Sequence, residues 1–215
     1  MARGKIEKRG SRKRQVKKVV LIVTEGSRTE PKYFGHFRTR NTNIDIKVVP
    51  SHSAGGETDY MSLVRKAAQH QKKDQLSAAI GDSVWVVADG DVNLNNPDPI
   101  NERNRQLNMA RKIAARSNIR LLISNPCFEF WYLLHFQYTS KHLKDYNAAK
   151  KELLSYFPEY EKTDDVYEQL LPYMERAIQN AHRLERYHIE NGESVPFTIA
   201  ANPYTEVYQL IEALR

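Results

Sequence analysis

An α/β fold, a mostly parallel four-stranded sheet flanked by helices with a helical C-terminal part, is what the sequence predicts. Three observations predict it. Apolar, β-branched runs recur at 18–23, 84–88 and 119–123 with little polar alternation, the mark of strands covered on both faces, and 44–49 alternates well enough for one more. Segments with helical spacing separate these runs, as right-handed crossovers between parallel strands require. Beyond about residue 140 the pattern turns helical. The chain divides accordingly into a basic flexible arm over 1–17, an α/β domain over 18–137 and a helical part over 138–215 packed on it.

Taken in order, Lys18 to Thr24 is a buried strand closed by Glu25-Gly26. Thr29 is placed to cap the next helix, with Pro31 in its first turn and Tyr33, Phe34 and Phe37 on its inner face. Ile44 to Val49 forms the second strand and Pro50 ends it. Residues 51–58 are a polar loop in which His52 is a weak candidate for substrate contact, and Gly55-Gly56 lacks the spacing of a phosphate-binding loop. Residues 58–78 form an amphipathic helix with Met61, Val64, Ala67 and Ala68 inward.

The third strand, from Val84, ends in Asp89-Gly90-Asp91. After an Asn- and Pro-rich loop, a helix runs from about Ile100 to Ser117, with Leu107, Ala110, Ile113 and Ala114 inward and Arg103, Arg105, Arg111, Lys112 and Arg116 mostly exposed. Ile119 to Ser124 is the fourth strand. Asn125 then caps a helix that begins at Pro126 and carries Glu129 in its first turn. Helices follow over 145–156 and 164–190, the longer broken or kinked at Pro172. A link, 194–203, leads to a last helix that packs Val207, Leu210, Ile211 and Leu214 on the core.

Composition narrows the function classes. Hydrophobic residues make up 40% and charged residues 27%, as in ordinary soluble proteins. No apolar stretch approaches the roughly 18–20 residues that span a bilayer, and the start has no apolar signal region, so a cytoplasmic protein with no membrane association is expected. The single cysteine, Cys127, fits a reducing compartment. Residues 1–18 hold nine Lys or Arg against Glu7, which accounts for the whole net charge of +7, since the rest has 24 basic and 25 acidic residues. Such an arm suits a phosphate backbone, and equally a solvated leader.

The chemistry gathers where strands end. Glu25, Asp89 and Asp91 all fall at the C-terminal edge of the sheet, where open α/β folds place their sites. Carboxylates so crowded are candidates for holding Mg²⁺ or Mn²⁺, against the plainer reading of Asp-Gly-Asp as a solvated turn. Glu129 either joins them or simply answers its helix dipole. Cys127 suits packing better than nucleophilic attack. The C-terminal tyrosines, Tyr156, Tyr160, Tyr167, Tyr173, Tyr187, Tyr204 and Tyr208, suit core or interface better than base stacking.

Two signatures emerge from these blocks. Glu25-Gly26 and Asp89-Gly90-Asp91, each after an apolar strand, resemble the TOPRIM signature of topoisomerases, primases and related nucleases. More closely, Thr24-Glu25-Gly26 with Thr29-Glu30 and Tyr33-Phe34, then Asp89/Asp91, Ser124 to Trp131, and Asn202-Pro203-Tyr204-Thr205 with Val207 and Leu210 resemble the RloB-like family. The resemblance runs from about residue 17 to the C-terminus.

The resemblance implies a TOPRIM-like fold and a metal-dependent nuclease that acts as an effector in anti-phage defence and abortive infection, often beside an AAA-type or ABC-type ATPase. It assigns the TOPRIM glutamate to Glu25 and the paired aspartates to Asp89 and Asp91; Glu30 and Glu129 lie within family blocks. The expected chemistry is hydrolysis of RNA (tRNA among the candidates) or DNA by water. Glu25, Asp89 and Asp91 hold the metal in this scheme, Glu129 joins them in catalysis, and Arg28, Lys32 and the arm hold the nucleic acid. A catalytically silent nucleic-acid or partner-binding regulatory protein is the alternative, and a nucleotide-directed phosphoryl-transfer enzyme is another. A homodimer through the C-terminal helices stays open.

Overall fold

The computed structural model describes residues 17–38, 44–51, 59–92 and 96–215. The arm before Lys17, His52 and Gly55-Gly56 lie outside them. Within the described residues, alternate side chains of each central strand serve opposite faces of one sheet. Val20, Ile22, Trp85, Val87 and Leu122 join one buried cluster, while Leu21, Val23, Val84, Val86 and Ile123 join another. Both faces are covered, which is why these strands carry so little polar alternation.

The elements are β1 (Lys18–Thr24), α1 (Thr29–Gly35), β2 (Ile44–Pro50), α2 (Tyr60–Lys73), β3 (Ser83–Asp89), α3 (Pro99–Arg116) and β4 (Ile119–Asn125), then α4 (Glu129–Leu134), α5 (Tyr146–Leu153), α6 (Tyr167–Leu170), α7 (Met174–Glu190), β5 (Tyr204–Thr205) and α8 (Val207–Leu214). The sheet has the order β2-β1-β3-β4-β5, with the first four strands parallel. Strand order reverses at β1, since β2 lies on one side of it and β3 on the other. Crossovers of constant hand therefore put α1 on one face and α2 and α3 on the other. The crevice between the C-terminal ends of β1 and β3 is the topological switch point, where open α/β sheets bind ligands. Among the described residues no helix is long and apolar enough to cross a membrane.

The sheet differs from expectation by one strand. Tyr204 and Thr205, placed by sequence after a plain link, pair antiparallel with Asn125 and Ser124, so among the described residues the sheet has five strands and not four. Two caps also differ. Arg28 occupies the N-cap of α1, and the Thr29 hydroxyl donates instead to the Lys162 carbonyl, 2.7 Å away. Asn125 ends β4 instead of starting a helix, its amide donating to the carbonyls of Ile199 and Ala201 at 2.9 and 2.8 Å. The helix expected over 58–78 is shorter, capped by Asp59, whose side chain accepts from the Ser62 amide, and ending at Lys73. Pro172 does break the long helix, in a 3-10 turn between α6 and α7.

The C-terminal helices bring a largely aromatic core to the α1 face. Tyr33 is central to it, with Phe34, Phe128, Tyr132 and Tyr167 around its ring at 5.4–5.6 Å and the Trp131 indole donating to its hydroxyl at 2.8 Å. Edge-to-face contacts of this kind add to the burial of the rings themselves. Tyr160, Tyr167, Tyr204 and Tyr208 are buried, as the core reading of the tyrosines expects, whereas Tyr156, Tyr173 and Tyr187 are exposed.

Candidate functional site

The ends of β1 and β3 are knitted together before any ligand is considered. The Glu25 amide donates to the Val87 carbonyl at 3.0 Å, and in return the Asp89 amide donates to Glu25 Oε2 at 3.0 Å. Asp89 Oδ1 accepts from the Phe128 amide at 2.9 Å, which ties β3 to the link between β4 and α4. The acids are thus held by backbone, on rigid elements, at the switch point.

Two glycines allow this approach. A Cβ on Gly90 would lie 2.7 Å from Asn125 Cβ and 3.0 Å from its Cα, so β3 and β4 could not end so close together with a larger residue there. A Cβ on Gly26 would fall 2.0 Å from Glu30 Oε2. Glu30 folds its carboxylate back over this glycine and accepts the Gly26 amide on Oε1 at 2.9 Å.

Glu30 and Glu129 complete an acid cluster. Each is buried, 2% and 0% exposed, and in each one oxygen, Oε2, has no hydrogen-bond partner. Glu129 Oε1 accepts from the Tyr160 hydroxyl at 3.3 Å. Burial, and then the charges of Glu30, Glu25 and Glu129, push the Asp89 carboxyl well above the ordinary range. Burial likewise raises Glu30, with Glu129 adding to it against the Gly26 hydrogen bond. Burial raises Glu25 to about 7, opposed by the Asp89 amide and reinforced by Asp91. These carboxylates therefore repel one another across a desolvated space.

Asp91 stands apart. Its side chain is 64% exposed and meets Arg103 at 3.5 Å. Arg103 lies 3.8 Å over the Tyr60 ring and reaches the Asp89 carbonyl at 3.4 Å, while the Tyr60 hydroxyl donates to the same carbonyl at 2.9 Å. Only 12% of the Arg103 side chain is exposed, so the expected solvated position is corrected. Arg111 is likewise buried, against Glu206. The signal for Arg103 was present: it precedes Leu107 by four residues and Ala110 by seven, on the buried stripe of α3.

Of the other expected residues, Arg28 is exposed where α1 begins. The Lys32 ammonium donates to the Thr163 carbonyl. Cys127 is buried, and burial followed by the charge of Glu129 raises its thiol far above reactivity. Lys162 was missed. It comes from the link between α5 and α6, and although partial desolvation opposes its charge, Glu129, Asp89 and Glu30 together raise its pKa.

Among the described residues no three His, Cys, Asp or Glu side chains form a ready-made metal-ligand set. The donor chemistry nevertheless suits a hard divalent cation, because the donors are carboxylate oxygens, mutually repelling, with two of them buried and unpaired. Mg²⁺ keeps several waters and takes only one or two carboxylates, so it requires no preformed cage.

No curated protein and no solved structure matches this chain significantly. The family model described as RloB-like protein matches residues 20–214, from the first residues of β1 to the last turn of α8. That span takes in every acid of the cluster, and the chain belongs to the RloB-like family.

Proposed function

We propose that the protein is a metal-dependent nuclease of TOPRIM-like design, hydrolysing phosphodiester bonds of RNA or DNA as an effector in anti-phage defence. The observation that carries this reading is the convergence of Glu25, Glu30, Asp89 and Glu129 at the switch point, with two buried carboxylate oxygens left unpaired. Buried polar atoms are nearly always satisfied, and a native site that breaks this rule at two neighbouring carboxylates is poised for a ligand. A cation with a phosphate is the ligand that four carboxylates favour.

Asp89, Glu25 and Asp91 are the residues that would hold Mg²⁺ or Mn²⁺, with Glu129 and Glu30 behind them. When bound, such an ion neutralises charge on the scissile phosphate and acidifies water. The chain's own groups supply the rest. Glu25 would either complete the metal shell or, standing outside it with its carboxyl pushed up to about 7, take and release a proton near neutral pH as general base for water. Arg103 holds Asp91 and the Asp89 carbonyl in place. Arg28 and the basic arm supply backbone contacts that position a polymer without reading its sequence. The defence role and an AAA-type or ABC-type ATPase partner rest on the family resemblance.

The test is incubation of labelled tRNA, single-stranded RNA and plasmid DNA with the pure protein and Mg²⁺ or Mn²⁺, alone and with its neighbouring ATPase. Metal-dependent scission of one polymer, stopped by chelator, is expected. Intact polymers under every metal, with and without the ATPase, would overturn the reading in favour of a silent binding protein.

A further inference from the structure

The turn between α5 and α6 belongs to no part of the scheme above, yet it is fastened at one point to Glu129 of the acid cluster and at two to α1, which carries Glu30. Tyr160 donates to Glu129 at 3.3 Å. The Lys162 carbonyl accepts from Thr29, the neighbour of Glu30, at 2.7 Å, and the Thr163 carbonyl accepts from the Lys32 ammonium. On its far side Glu161 pairs with Lys150 of α5 at 3.1 Å, and the turn closes on itself with the Asp164 amide donating to the Glu161 carbonyl at 2.8 Å. A surface turn so fixed presents one side chain in a defined place.

That side chain is Lys162. Its ammonium lies 4.8 Å from the centre of the Tyr146 ring, and the residue is exposed to solvent. Among the described residues it makes no ion pair within 4.0 Å, although Glu129, Asp89 and Glu30 are the charges that act on it most. A lysine serving only as an internal counter-ion would close that distance and satisfy one of the two unpaired oxygens, Glu30 Oε2 or Glu129 Oε2. Instead, the cation is held by an aromatic face beside an anionic site and closes on neither oxygen. Such a cation meets a group that is itself anionic and enters from solvent.

We propose that Lys162 is a phosphate-binding residue of the site, donating to a non-bridging oxygen of the scissile phosphodiester while the turn and Tyr146 hold it in place. The assignment rests on the phosphodiester reading. It adds a residue from the helical part to a site otherwise built on the sheet, so the site draws on both. The group transfers no proton and forms no bond; it offsets charge where charge develops.

The experiment compares wild type with K162Q, K162R and the control K151Q, whose lysine is exposed on α5. Two readouts are taken: cleavage kinetics, and binding of a short fluorescent single-stranded oligonucleotide in Mg²⁺ by polarisation, which needs no turnover. K162Q is expected to lose about 100-fold in kcat/KM, and the log–log salt slope of binding is expected to drop by about 0.7. K162R should recover most of both, and K151Q should match wild type. Melting temperature, read alongside, should hold in all three. Wild-type cleavage, binding and salt slope in K162Q would overturn the assignment and leave the nuclease reading standing. Loss accompanied by a lowered melting temperature, unrescued by K162R, would also overturn it, in favour of a structural counter-ion. A wild type that binds through Lys162 but cuts nothing, with the neighbouring ATPase as without it, would overturn the nuclease reading and leave the phosphate contact standing.

Discussion

Glu206 and Glu129 are both buried glutamates beside β4, and they are treated oppositely. Arg111 binds both oxygens of Glu206, at 3.0 and 2.9 Å, and the Ile123 amide donates to one of them at 2.8 Å. Nothing in that carboxylate is left over, and its role is to fasten β5 and α8 to the sheet. Glu129 has one bond from a tyrosine and one oxygen with none, and the charges near it include Glu30 and Asp89. A fold that can pair one buried acid so completely has no need to leave another unpaired. On the reading proposed above, the difference separates a carboxylate kept for structure from carboxylates kept for a ligand.

The largest effect should come from breaking the structural pair. Arg111→Met strands a buried charge, and denaturant unfolding should report a loss of about 3–5 kcal/mol, most of it recovered when Glu206→Leu is added. Next is Gly90→Ala, whose Cβ meets the Asn125 backbone and forces the strand ends apart, at a cost of about 1–3 kcal/mol in the same assay. Gly26→Ala should cost less. Its Cβ meets only the movable end of Glu30, so it swings that carboxylate away and lowers cleavage more than stability.

The acid cluster makes the opposite prediction with pH. Burial raises Glu25 from the ordinary value of 4.5 to about 7, so between these values the folded chain holds more proton than the unfolded chain. Stability in chelator should therefore fall as pH rises from 4.5 to 7, by roughly 1–3 kcal/mol for this group, and stay low above it. Glu25→Gln should flatten that slope, and Mg²⁺ should restore stability at pH 8. Smallest of all is Glu129→Gln, which removes a like charge and should leave the protein as stable or about 1 kcal/mol more so.

How much of this the sequence disclosed depends on how far each signal travels along the chain. The first four strands and the placing of Glu25 and Asp89 were legible because an apolar run and the acid that ends it are local. Two-residue β5 has no period to detect. Thr29 and Asn125 were misplaced as caps because partners 133 and 74–76 residues away recruit their side chains, and local capping preference cannot foresee that. Arg111 and Lys162 owe their roles to tertiary neighbours in the same way. Arg103 was the exception, since its helical spacing already placed it inward.

The most direct test of the central claim, that the carboxylates at the switch point are the reacting centre, is Asp89→Asn assayed for cleavage and melting temperature together. Cleavage should fall by about 100-fold or more while the melting temperature holds or rises, because the change removes a buried charge repelled by three others. A folded variant that cuts at the wild-type rate would contradict the account.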